Sequence, residues 1–500
     1  MNNQIKLNPN PLVAYLGKLP HEFTKADILQ YVEERQIKMI NFRYAGADGR
    51  LKALNFVINN YAYLEQILTA GERVDGSSLF PFIEAGSSDL YVVPRFSTAY
   101  LDPFTEVPTL GFLCSYFNKD GKPLENSPEY ILKKAEKIFA EVTGGMEFHA
   151  MGELEYYVIG EHEDAFPAVD QKGYHEASPF SKFEDFRTKV MHYIAQVGGQ
   201  IKYGHSEVGN FVQDDKIYEQ NEIEFLPVPV TDAADQLLLG KWVINRLAYE
   251  YGLDITFAPK ITVGKAGSGM HIHTCIVKDG KNQYVENGAL SETAKKAIAG
   301  FMTCAASLTA FGNTNPTSYL RLVPHQEAPT TVCWGDRNRS ALVRVPLGWN
   351  NETDMCATAN PNEKVENRDF SGKQTIEFRA PDGSANIHLL LAGLVTAACY
   401  GFEMESAVQF ADKTYVDVNI HKAGNEKVTE HLESLPASCY ESALKLEAKK
   451  DIYTKHGVFS EATIHNIANQ LKSFNDEKIR EEIAVHPEML QKMVDKYFYC

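Results

Sequence analysis

The chain is 500 residues long and 44% apolar, ample for a large core and for more than one domain. Asp and Glu number 66 against 49 Lys and Arg, a formal net charge of −17. An acid surplus of that size argues against nucleic-acid and anionic-membrane partners, though it does not name a function.

In chain order, Met1–Lys6 lacks the basic-then-apolar pattern of a secretory leader, and residues 1–21 read as an N-terminal extension. Thr24 is placed to cap a helix over Lys25–Gln36, with Ile28, Leu29 and Val32 apolar. Strand-like runs Met39–Tyr44 and Leu51–Ile58 flank the turn-rich Gly46–Gly49, and further strands are expected at Asp89–Val93 and Leu110–Phe117. A polar break at 118–123 closes a small strand-rich unit spanning 22–126. Residues 127–500 then read as one large α+β domain, because no linker-like stretch divides them. Helices are predicted over Pro128–Val142, Asp232–Tyr251, Ser291–Ala310 and Asn475–Tyr497, with strands centred near 153, 223, 272 and 378. The longest apolar run, Leu389–Phe402, falls short of the roughly 20 residues of a bilayer-spanning helix and reads as a buried helix. The eight cysteines include no CxxC pair, which fits reduced thiols in the cytoplasm.

Glu153-Leu154-Glu155, Glu222-Ile223-Glu224, His271-Ile272-His273 and Glu377-Phe378-Arg379 each hold two charged or metal-ligating residues around an apolar one. Side chains at i and i+2 share a strand face, so each strand is apolar on one side and polar on the other. A single pair is ordinarily a solvated sheet face; four in one domain point to a common polar cavity. Carboxylates with an imidazole suit Mg²⁺ or Mn²⁺ better than zinc, and such ions would relieve repulsion among converging carboxylates. Gly264–His271 is glycine-rich ahead of a strand, which permits close backbone approach to a ligand, or simply a turn or bulge. It lacks the GxxxxGK[ST] pattern of a phosphate loop. Arg321, Arg337, Arg339, Arg344 and Arg379 form a basic set that fits phosphate and carboxylate binding, with structural ion pairs as the plainer reading of one or two.

On these residues the chain resembles the glutamine synthetase family, nearest its bacterial, class I-like members. The matching segments are Val74–Ser78, Gly152–Glu155, Gln220–Glu222, Phe257–Lys260, Gly267–His273, Arg321–Pro324, Glu327–Pro329, Asn338–Ala341 and Glu377–Asp382. Their order and spacing carry the resemblance from about residue 22 onward. It implies a small N-terminal β-grasp-like domain and a large catalytic domain with a curved antiparallel sheet flanked by helices. It implies ATP-dependent ligation of ammonia to the γ-carboxylate of L-glutamate through γ-glutamyl phosphate, giving glutamine, ADP and phosphate. ATP is then a substrate, and two or three Mg²⁺ or Mn²⁺ ions serve each site. Glu155, Glu207 and Glu222 would hold one ion, and Glu153, His271 and Glu377 another. Arg321 and Arg379 would bind the glutamate carboxylates beside the Gly267 backbone, on the side of the Glu155 ion. His273, Arg339 and Arg344 would neutralise phosphate charge. Asp75, Tyr174, Glu207 and Glu327 would form the ammonium pocket, with Asp75 accepting a proton and Glu327 on a shielding flap. The resemblance also implies a homo-oligomer of stacked hexameric rings, a dodecamer, with Asp75 completing the neighbouring subunit's site.

Several positions depart from the family pattern. His205-Ser206-Glu207 stands for His-His-Glu, Cys275 for a serine, and Gln374–Ile376 for a basic pair. The segment between Glu207 and Glu222 is long and carries Phe211, Asp214, Asp215, Lys216 and Tyr218. It reads as a surface excursion or as a reshaped amine entrance, so a γ-glutamyl ligase for an organic amine or polyamine stays open as the alternative activity.

Overall fold

The computed structural model describes residues 4–84, 86, 88–324, 328–348, 353–366, 368–422, 424–425, 428 and 430–500. Thr24 accepts from the Asp27 amide and Asp27 reaches back to Thr24, a capping box that starts helix α1 (Lys25–Glu34). Its buried face holds Ile28, Leu29 and Val32, as the apolar spacing predicts. This face covers a mixed sheet of β1 (Met39–Ala45), β2 (Leu51–Val57), β3 (Glu72–Asp75), β4 (Asp89–Pro94) and β5 (Thr109–Phe117), in the order β2-β1-β5-β4-β3. β1 and β5 run parallel, and their residues Phe42 and Phe112 are in register and fully buried. The helix at Pro11–Leu16 sends Leu12 and Val13 into the same core.

The second domain forms around a ten-stranded sheet. Its main strands are β6 (Glu147–Glu161), β7 (Ile201–Gln213), β8 (Lys216–Phe225), β9 (Ile272–Lys278), β10 (Trp334–Asp336), β11 (Val343–Val345) and β12 (Ile376–Phe378). Their order is β10-β11-β12-β9-β6-β8-β7, antiparallel except for the β10–β11 pair. Leu154, Ile223, Ile272 and Phe378, the apolar residues between the paired polar ones, are fully buried. They pack against the helices α2 (Pro128–Thr143), α3 (Glu184–Gln196), α4 (Val230–Tyr251), α5 (Glu292–Gly312) and α6 (Ile387–Glu403). α6 contains the longest apolar run and is buried along most of its length, capped by Asn386. Among the described residues no single helix is long and apolar enough to cross a membrane.

Two expectations change. The helix predicted over Asn475–Tyr497 is two, α7 (Ile479–Val485) and α8 (Glu488–Tyr497). Pro487 sterically bars the α conformation at His486, which adopts φ −126° and ψ 74°. The long segment after Glu207 is not an excursion but the body of the β7–β8 hairpin. Asp214 and Asp215, both at positive φ, form its two-residue turn, as mirror-image hairpin turns require. Phe211 is buried and stacks on Tyr218, ring centroids 4.6 Å apart.

The domains are joined by a buried ion pair. Arg95, just after β4, donates to both oxygens of Asp235 on α4, at 2.5 and 2.8 Å.

Candidate active site

Strand register gathers the paired polar residues on one face of the sheet. Glu153 stands opposite Glu224 and Glu155 opposite Glu222 across β6–β8; Glu222 also faces His205 on β7. On the other side, His273 faces Glu377 and Glu377 faces Arg344. All of them line one cleft of about 250 Å³, with Glu207, Arg321, Arg339, Arg379, His271, Gly267 and Tyr174. So four of the five predicted arginines converge, while Arg337 lines an adjoining groove with Asp336 and Gln374. Asp75 does not join them: it is exposed in the first domain and accepts hydrogen bonds from the Ser77 amide and the Ser77 and Ser78 hydroxyls. Those hydroxyls, with that of Ser88, hold its carboxyl well below the usual range. Glu327, expected on a flap, lies outside the described residues.

The cleft is electrostatically divided. Around Glu377 the charges balance, since Arg344 donates to one oxygen at 2.8 Å and Arg379 to the other at 3.0 Å. Burial opposes ionisation there, but Arg379 and the imidazoles of His273 and His271 keep the Glu377 pKa below its usual value despite the nearby Glu153 charge. Glu153 accepts from His271 at 2.9 Å and His273 at 2.8 Å, and these imidazoles hold it low against its burial. Glu222 is the opposite case. Burial raises its pKa first, and the charges of Glu153, Glu155, Glu207 and Glu224 push it further up.

Backbone geometry explains the glycine run. A Cβ on Gly269 would stand 2.5 Å from Arg321 Nη2 and 3.1 Å from Glu155 Oε1, so any larger residue would displace the Arg321 guanidinium. Its amide donates to Glu155 at 2.8 Å. Gln220 also donates to Glu155, at 3.1 Å, and to the carbonyl of Gly267, at 3.0 Å. Arg321 is buried and donates to the carbonyls of Ala380 and Arg379. Glu207 lies in an irregularity of β7, where the register moves from Ser206↔Asn221 to Asn210↔Glu219. The surplus residues pair with a loop instead: the amides of Gly173 and His175 donate to the carbonyls of Val208 and Ser206. That pairing sets Tyr174 and His175 at the cleft, where their rings stack at 4.1 Å and His175 lies 4.3 Å from His205.

The donor set fits divalent cations. Ligand atoms of Glu153, His273 and Glu377 lie within 4.8 Å of one another, as do those of His205, Glu222 and Glu224. His271, expected as the imidazole ligand, is 3.4 Å from Glu377 as well as 2.9 Å from Glu153. Oxygen-rich sets with an imidazole suit Mg²⁺ or Mn²⁺. Residues not singled out from sequence are Lys202, Tyr203 and His175. Glu224, paired with Glu222 on one strand face in the sequence, joins the cleft as that pairing predicts, though no role was assigned to it.

A small mixed sheet, followed along the chain by a larger domain whose sheet lines a cleft of carboxylates and guanidinium groups, is the plan of a two-domain enzyme. Residues 36–119 match the family described as glutamine synthetase, beta-Grasp domain, and residues 125–491 glutamine synthetase, catalytic domain; the chain belongs to the glutamine synthetase family. The glutamine synthetase of Methanococcus maripaludis is 30% identical over 444 residues, covering 86% of this chain and 92% of that protein. The 3-hydroxylaminophenol mutase of Cupriavidus pinatubonensis is 28% identical over 495 residues, covering 92% and 97%. Among solved structures, a GmaS/ADP complex superposes with a TM-score of 0.73 at 18% identity, covering 92% of this chain and 99% of that one. The Plasmodium falciparum glutamine synthetase gives 0.72 at 20%, covering 93% and 97%. At those identities the two structures attest the fold.

Proposed function

We propose that the protein ligates ammonia to the γ-carboxylate of L-glutamate through γ-glutamyl phosphate, consuming ATP and giving glutamine, ADP and phosphate. The observation that carries this reading is the divided cleft: clustered carboxylates on one side and convergent arginines on the other. We take the chain to divide at 127, with residues 1–21 an extension whose helix packs into the first domain's core, and the enzyme to act in the cytoplasm, where its eight free thiols would stay reduced.

Glu153, His271 and Glu377, with His273 close by, would hold one Mg²⁺ or Mn²⁺, and Glu155, Glu207 and Glu222 another. Bound there, such ions supply charge neutralisation for phosphoryl transfer. Arg321 and Arg379, already fixed by carbonyls, bind and orient the substrate carboxylates next to Gly267. His273, Arg339 and Arg344 disperse phosphate charge; the buried Arg344 Nε has no hydrogen-bond partner among the described residues, which leaves it a donor for an anion. Ammonium is no nucleophile until it loses a proton, so a carboxylate base is needed. Asp75 serves as that base across a subunit boundary, with Tyr174, Glu207 and Glu327 completing the pocket. That role calls for a homo-oligomer of stacked hexameric rings.

The test is product analysis with ATP, glutamate, Mg²⁺ or Mn²⁺ and either ammonia or a panel of amines. Glutamine with stoichiometric ADP is expected. Turnover only with alkylamines or polyamines would replace this reading with the γ-glutamyl amine ligase. The clustered Tyr174, His175 and His205 rings, the first two of them stacked, favour that second reading, because aromatic faces suit organic cations. Mixed rings of Asp75→Ala and Glu377→Ala subunits should regain part of the activity if sites are shared. No recovery would confine both residues to one subunit's site.

A further inference from the structure

Glu224 is buried, and both of its oxygens are engaged. Lys202 Nζ stands 2.5 Å from Oε2, and the Tyr203 hydroxyl donates to Oε1. On a regular strand, neighbours point to opposite faces and do not reach one carboxylate together. Here the register steps from Ile201↔Phe225 to Tyr203↔Glu224, two residues of β7 for one of β8. Lys202 is the extra residue, and the bulge brings its ammonium onto the face that lines the cleft. Two residues beyond Tyr203 on β7, His205 Nε2 lies 3.5 Å from Glu222 Oε1. The ligand atoms of His205, Glu222 and Glu224 span no more than 4.8 Å, the size of a single cation site with bonds of roughly 2.0–2.6 Å.

We infer that Lys202 is a resident counter-cation that keeps a divalent ion out of the His205–Glu222–Glu224 cluster. Glu224 faces Glu153 across the strand pair, so without a cation two buried carboxylates would repel. An ammonium is a compact charge on a flexible stem that meets this need from within the chain. With Glu224 so occupied, ions are confined to the carboxylates that lack a lysine, and Lys202 sets how many the cleft holds. The inference rests on the ion-binding reading proposed above and adds a limit to it.

The test is Mn²⁺ binding to the purified full-length protein without substrates, by equilibrium dialysis and electron paramagnetic resonance. Lys202→Met is expected to bind one more ion per subunit than wild type. Lys202→Arg should keep the wild-type number, and Lys202→Met with Glu224→Gln should return to it. Lys202→Gln replaces Lys202→Met if that variant does not fold. An unchanged number and affinity in the uncharged variant overturns the inference, as does a gain that survives Glu224→Gln. If wild type binds no Mn²⁺ and the uncharged variant binds one, the native ion-binding reading fails while this inference stands. If neither binds, both fail.

Discussion

Asp235 and Glu222 are both buried carboxylates of the second domain, yet their surroundings drive them in opposite directions. Burial would raise Asp235, but Arg95 grips it with two hydrogen bonds and His388 adds a third contact, holding it at about 2. Glu222 has four carboxylates for neighbours and is pushed up. The chain supplies a matched cation in the first case, which makes a joint between domains. In the second it crowds carboxylates together, an arrangement suited to a cation from outside.

The sharpest way to break this contrast is Glu222→Gln. It should cost roughly 100-fold or more in metal-dependent turnover, since even residues behind a ligand cost up to that much. The same change should raise the thermal stability of the metal-free protein by relieving repulsion. A lowered melting temperature would remove the distinction between site and joint. Glu377→Ala should weaken metal and ATP use together, whereas Arg379→Ala should raise the glutamate KM by about 10- to 100-fold, the loss of a charged hydrogen bond. Equal effects of both changes on both substrates would contradict their separate roles.

Asp235→Asn should cost about 3 kcal/mol in urea unfolding, because it strands a buried guanidinium. The pH signature sharpens the comparison. Asp235 is depressed, so its stabilisation is fully present above about pH 4 and is lost as pH falls through about 2. The gap between wild type and Asp235→Asn should therefore be flat at neutral pH and close below pH ~4. Glu222 is raised, so its folded state prefers the proton, and metal-free stability should increase as pH falls through its shifted pKa toward the ordinary carboxyl range. Glu222→Gln should flatten that slope. The smallest effect is expected at the hairpin turn: replacing Asp214-Asp215 by Asn-Gly should change stability by less than about 1 kcal/mol and leave turnover unaltered.

Much of this was legible along the chain because it is local. The cap at Thr24, the buried run in α6 and the i, i+2 pairs each follow from a few adjacent residues. Those pairs even located the cleft face, since their intervening residues are the buried ones. What stayed hidden depends on register. Lys202 and Tyr203 reach Glu224 only through a bulge, and Tyr174 and His175 meet His205 only because a loop pairs with the irregular part of β7. No spacing rule reports a bulge. The break between α7 and α8 was a different failure: Pro487 stood in the sequence, and the helical pattern on both sides masked it.

The two irregularities of β7 make it a ruled scale with its marks unevenly cut. Between Ile201 and Asn210 every position that reaches the cleft depends on a count of residues, and removing or adding one would turn the following side chains to the opposite face. Beyond Asn210 the hairpin is regular out to its two-residue tip. Length variation is thus tolerable at Asp214–Asp215 and ruinous a few residues earlier, although both lie in the same hairpin.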